Sequence, residues 1–223
     1  MRSHPGARRD SAGPASSDAS ESGASISQLI LDRSLQRVRL VQQSSPGRRL
    51  SQSPKSISED TAQEYSDRAI LELIQNGHDA IELGSKGRIR VLLDSSGDPT
   101  ERGFGTLYVA NDGRPFQFSN FEAISEVALS DKGAGEGIGN KGLGFRSVLQ
   151  LSDWPEVFSK SKESAAVFDG YCFRFATPAD IRGHVGDADL ANHIIADVSP
   201  LALPVPAEVI DPWVASLAAE GFS

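Results

Sequence analysis

Glu72-Leu73-Ile74-Gln75-Asn76-Gly77-His78-Asp79-Ala80 sets two carboxylates and an amide at positions i, i+4 and i+7. In a helix that advances about 100° per residue these three side chains span roughly 60° of one face, so they point together. Ile70, Leu73, Ile74 and Ile81 surround them with apolar surface, which lets the polar stripe border a cleft instead of open water. A carboxylate beside an amide and a second carboxylate suits Mg²⁺, a hard ion that takes oxygen ligands and keeps several waters. Glu72 is then placed to orient or deprotonate a water. The plainer alternative is a solvated helix face.

Around this stretch, Tyr65 to Leu83 reads as one long helix that ends at a Gly84 C-cap, with acidic start residues at Ser58-Glu59-Asp60. Residues 88–93 and 106–110 read as strands around a turn containing Gly97, Asp98 and Pro99. Residues 118–129 have helical spacing. The loop from Ser130 to Gly142 carries Gly133, Gly135, Gly137, Gly139 and Gly142, a backbone too permissive for regular structure. A helix resumes over 144–151, and 156–160 and 171–176 look like strands, with Trp154, Phe158, Tyr171, Phe173 and Phe175 as core residues around them. Residues 177–212 show little periodicity, and a last helix runs from Pro212 to Glu220, stopped by Gly221.

Residues 1–23 hold too few bulky apolar side chains to offset chain entropy and are expected to form a disordered arm. Residues 24–43 form an amphipathic helix, with Ile26, Ile30, Leu31, Leu35, Val38 and Val41 on its apolar side, that docks either on the domain or on a partner. Residues 44–57, with Pro46 and Pro54, read as a linker, and 58–223 as the main domain.

The chain has 223 residues and a formal charge of -8. That length suits one sizeable core, and the negative balance argues against broad nucleic-acid binding, which needs a concentrated basic face. The single Cys172 has no internal disulfide partner, and the four histidines are too scattered for a zinc site. No stretch approaches the roughly 20 apolar residues of a membrane span, and the N-terminus lacks the apolar centre of a secretory signal. A cytoplasmic protein is the expectation.

The second chemical half is the run Gly137-Ile138-Gly139-Asn140-Lys141-Gly142-Leu143-Gly144-Phe145. Backbone N–H groups opening a helix at Gly142 to Phe145 favour an anion, and Lys141 adds a point charge for phosphates. The alternative is a surface loop. The P-loop pattern fails, because no Gly-x-x-x-x-Gly is followed by Lys and Ser/Thr. Gly137-x-Gly139-x-x-Gly142 formally fits the dinucleotide fingerprint, yet no strand leads into it. Arg146, just beyond, either touches phosphate or serves packing. His78 sits roughly 120° from Glu72 around the helix and reads as structural.

Together the segments resemble the GHKL family of gyrase, heat-shock chaperone, histidine kinase and MutL-type ATPases. Glu72 to Ala80 fits its Glu-x-x-x-Asn-x-x-Asp-Ala helix without a gap. Val109-Ala110-Asn111-Asp112-Gly113-Arg114-Pro115-Phe116 looks like its strand running into Asp-x-Gly-x-Gly, and Gly137 to Phe145 like its nucleotide lid. The resemblance covers roughly residues 60 to 175. Asn-Asp-Gly-x-Pro-Phe and Gly-Asn-Lys-Gly-Leu-Gly-Phe-x-Ser-Val look closest to the sacsin-like branch found at the start of much larger proteins.

The resemblance implies a Bergerat fold: an α/β two-layer sandwich with a mixed, mainly antiparallel sheet and helices on one face, either with or without its final strands. It implies ATP with Mg²⁺ as cofactors, Glu72 as general base, Asn76 as the metal ligand and Asp79 as a polar group near the ribose or phosphates. Gly137, Gly139, Lys141, Gly142, Leu143, Gly144 and Phe145 would close over the phosphate chain, and Asn111, Asp112 and Gly113 would lie at the base. The family's adenine-binding carboxylate falls on Asn111, so either Asn111 accepts through its amide oxygen or Asp112 substitutes. Pro115 replaces the motif's second glycine and removes an N–H donor. The implied reaction is slow ATP hydrolysis that drives a conformational switch, completed by a group from another domain. The alternative is a module that senses nucleotide or engages a protein partner without hydrolysis. A nucleotide-dependent homodimer through the N-terminal helix follows by analogy.

Overall fold

The computed structural model describes residues 26–43, 68–96, 105–127, 143–163 and 165–223. The expected N-terminal arm and linker, the Gly97-Asp98-Pro99 turn and the glycine run up to Gly142 lie outside them. The chain is a mixed α/β protein with small antiparallel sheets. Its elements are α1 (Ile26–Gln43), α2 (Ala69–Ala80), β1 (Ile89–Asp94), β2 (Thr106–Asn111), α3 (Phe118–Val127), α4 (Leu143–Arg146), β3 (Glu156–Val157), β4 (Phe173–Phe175), α5 (Pro178–His184), α6 (Ala188–Asp197), β5 (Pro204–Pro206) and α7 (Pro212–Ala219). Short 3₁₀ turns cover Ser147–Gln150 and Pro200–Ala202.

Instead of one sheet, the described strands form two. β1 and β2 make an antiparallel hairpin with Val91 opposite Val109 and Leu93 opposite Leu107. β3, β4 and β5 make a three-stranded antiparallel sheet in that order. A lone hairpin is marginal in water, and this one is held between two helices. Ile89 and Asn111 on one face meet α2 at Gly77. On the other face Arg90 pairs with Glu220 at 2.6 Å, Tyr108 donates to Asp211 at 2.6 Å, and the Arg88 and Arg90 guanidiniums lie 4.7 and 4.9 Å from the ring centre of Phe222.

The main core gathers on β4, where alternation turns Phe173 and Phe175 inward. Phe121 of α3 meets Phe173 edge-on at 5.3 Å, and Tyr171, Ile181, Ile194, Leu201 and Leu203 complete the cluster. Aromatic packing of this kind supplies much of a small domain's burial. Phe158 is half-buried, whereas Trp154 is exposed, so it is not the core residue its strand setting suggested.

α1 docks on its own domain. Ile30, Ser34 and Arg37 are buried at i, i+4 and i+7. The Arg37 guanidinium donates to the Ala202 carbonyl and to Ser125 Oγ, both at 2.9 Å, and Ser34 Oγ donates to the Pro204 carbonyl. These bonds satisfy polar groups on the inward face that would otherwise be costly to bury.

Two boundaries differ from expectation. α2 ends at Ala80, before Gly84, because the Ala80 carbonyl accepts the Arg114 N–H at 2.9 Å and is no longer free for a continuing helix. Gly84, at φ +83°, serves the following turn. The stretch 177–212 holds two helices. α5 starts at a reciprocal capping box between Thr177 and Asp180, and α6 at an Asp187 cap.

Candidate functional site

α2 presents the stripe read from its sequence. Gly77 faces the hairpin, and Asn76 precedes it by about a quarter-turn, given about 100° per residue. Glu72 is half-buried, while Asn76 and Asp79 are exposed. Neither the Glu72 nor the Asn76 side chain is committed to a partner among the described residues. His78 is exposed, with Nδ1 3.6 Å from the Asp79 carboxylate.

Two glycines bring the second motif against this helix. A Cβ on Gly77 would stand 3.3 Å from Asn111 Cβ and 3.5 Å from Ile89. A Cβ on Gly113 would stand 2.5 Å from the Ala80 carbonyl carbon and 2.6 Å from its oxygen. Only glycine allows that approach. Arg114 closes the joint, with its backbone N–H on Ala80 and its Nη2 on the Asp79 carbonyl at 3.3 Å.

Asn111 and Asp112, the two candidates for the base position, are differently engaged. Asp112 accepts from the Arg88 backbone N–H at 2.6 Å and from Arg88 Nε at 2.7 Å, one bond to each oxygen. Burial pushes the Asp112 carboxyl up, but these bonds and the Arg88 charge outweigh it and leave the group below its ordinary value. Among the described residues Asn111 Oδ1 accepts only the Gly113 N–H, at 3.0 Å. An amide oxygen has two lone pairs, so Asn111 retains acceptor capacity, while both Asp112 oxygens are turned to Arg88.

Of the glycine run, Gly137, Gly139, Lys141 and Gly142 lie outside the described residues. Leu143 and Gly144 open α4, and Phe145 is half-buried with its ring 6.3 Å from that of Phe175. The segment after the run is therefore anchored in the core. α4 and the 3₁₀ turn behind it pack against α2. The helix that bears the stripe, the Asn111–Gly113 turn and the end of the glycine run thus converge, with α2 common to both contacts. Arg146, left open between phosphate and packing, is 4% exposed.

Among the described residues no cluster of three or more His, Cys, Asp and Glu side chains could hold a metal. Mg²⁺ does not require one, because it commonly takes one or two protein oxygens, with phosphates and water completing the octahedron. Asn76 with Glu72 nearby is an all-oxygen set of that kind. No helix among the described residues is long and apolar enough to cross a membrane.

Comparison with known proteins places these motifs in a family. The Sacsin domain matches residues 54–184, a span that contains α2, the hairpin and α4. The chain is also 29% identical over 134 residues to Protein NO VEIN of Arabidopsis thaliana, an alignment covering 59% of this chain and 4% of that protein. The chain therefore corresponds to a small part of that relative's length. No solved structure matches.

Proposed function

Because the chain belongs to the Sacsin domain family, we propose that the face shared by α2, the Asn111–Gly113 turn and α4 is a GHKL-type nucleotide site. It binds ATP with Mg²⁺ and hydrolyses it slowly, using the cycle to switch conformation as one module of a larger protein. The observation that carries this reading is the packing of α4 on α2, the helix whose Glu72 and Asn76 side chains have no partner among the described residues.

In this reading Asn76 holds the metal through its amide oxygen, and Mg²⁺ supplies charge neutralisation of the phosphates. Glu72, half-buried and free of an ion pair among the described residues, accepts a proton from the attacking water. Asp79 supports the ribose or phosphate side, and Gly137 to Phe145 embraces the phosphate chain. Asn111 accepts from the adenine amine through its remaining lone pair, while Asp112 braces the turn through Arg88.

The domain arrangement has a direct consequence for partners. The inward face of α1 is spent on the chain's own 202–204 segment, so a nucleotide-dependent homodimer would use its outer face. The reading is tested by titrating Mg-ATP against thermal unfolding of the full chain and following phosphate release. Saturable stabilisation with slow release supports it, and neither response refutes it.

A further inference from the structure

Arg146 is the last residue of α4, four positions past Gly142. It is 4% exposed, and its buried Nε has no hydrogen-bond partner among the described residues. It forms no ion pair with any described residue, and burial alone pushes its pKa down. The contrast is Arg37, which is equally enclosed but delivers its guanidinium to Ala202 and Ser125. Arginine keeps its charge in protein interiors, and an enclosed charge without a counter-charge is unfavourable. A protein that retains one at this place has a use for it.

That place narrows the use. α4 packs on α2, the helix that carries Glu72 and Asn76, and on α3. We propose that Arg146 is a receptor for the phosphate chain of the bound ligand, meeting it with charge-assisted hydrogen bonds from the guanidinium. The identity of the ligand as a nucleotide rests on the function proposed above. The requirement for an anion does not, since it rests on burial and on an Nε without a partner among the described residues.

The test takes the full chain with its Arg146→Met and Arg146→Lys variants. Each is titrated with Mg-ATP and, separately, with inorganic tripolyphosphate while Tm is recorded. Without ligand, Arg146→Met should melt at or above the wild-type temperature, because it removes an unpaired buried charge and keeps the packing volume. It should bind either ligand roughly ten- to a hundredfold more weakly, the loss expected for a charge-assisted bond. Arg146→Lys should fall between the two.

A Met variant that binds as tightly as wild type overturns the assignment, as does one that fails to fold, since an unanswered charge predicts the opposite. A wild-type chain stabilised by neither ligand overturns it as well. If wild type responds to tripolyphosphate but not to ATP, and Arg146→Met abolishes that response, the anion receptor stands and the nucleotide reading falls. If both proteins respond equally to ATP, the nucleotide reading stands and the receptor falls.

Discussion

The Arg114 backbone N–H donates to the Ala80 carbonyl at 2.9 Å, so the last residue of the Glu-x-x-x-Asn-x-x-Asp-Ala helix and the first residue after Asn111-Asp112-Gly113 share one joint. Through it, the register of the hairpin fixes where α2 stops and which way Glu72, Asn76 and Asp79 face. Gly113 is the pivot, because its Cα lies against the Ala80 backbone.

Gly113→Ala should therefore force this joint open. The added Cβ meets main-chain atoms, which cannot swing aside, and overpacking of that kind costs about 1–3 kcal/mol. Chemical denaturation should show the loss, and any stabilisation by ATP should weaken with it. Gly183→Ala is the counterpart. It lies in α5 with nothing within 4 Å of the new Cβ, so the helix should gain roughly 0.5–1 kcal/mol. A Gly113→Ala protein as stable as wild type would show that the joint is slack.

The start of α5 should give the protein an acid-sensitive step. Asp180 accepts from Arg174 at 2.6 and 3.0 Å and from Thr177. The Arg174 bonds, against opposing burial and with help from Thr177, hold its carboxyl far below the ordinary 3.8. A depressed folded-state pKa contributes stability that is complete above the unfolded value and fades as pH falls below it. Asp180→Asn should flatten the acid limb of the stability curve below about pH 4 and, by weakening the capping box, cost about 1 kcal/mol at neutral pH. An unchanged acid limb would remove Asp180 from the account.

At the alkaline end, burial first, then the hydrogen bond to Asp211 and its charge, push Tyr108 up to about 12. A raised folded-state pKa gives stability that is complete below the ordinary value of 10.0 and lost as pH rises towards 12. Ultraviolet titration should show a late tyrosine ionisation, and Asp211→Ala should move it to lower pH. Because Tyr108 fastens the hairpin to α7, the same variant should loosen the Arg90–Glu220 side of the sheet.

Much of this arrangement is legible in the residues themselves. α1 and α2 follow from apolar spacing, and β1 and β2 from short apolar stretches on either side of a turn. The stripe on α2 needs only helical arithmetic. What escaped was set by distant contacts or by short elements. The end of α2 depends on a residue 34 positions downstream, so the local Gly84 signal misleads. α5, with 7 residues, is too short for periodicity, yet Thr177-Pro178-Ala179-Asp180 carries a capping signature that marks its start. Arg146 looked like any arginine after a glycine run, because burial and the lack of a partner are properties of packing alone.

The catalytic part of the account turns on Glu72. Glu72→Ala should abolish phosphate release while leaving ATP affinity within about twofold of wild type, the mark of a group that acts on the chemical step and not on binding. A wild-type chain that binds ATP but releases no phosphate would instead identify a sensing module.

Binding itself is the central claim, and thermal unfolding with Mg-ATP measures it most directly. A ligand that binds only the folded chain adds about 2.7 kcal/mol at a hundred times its Kd, so Tm should rise with ATP concentration in wild type and much less in Asn76→Ala. A wild-type Tm that stays flat up to millimolar Mg-ATP would contradict the account.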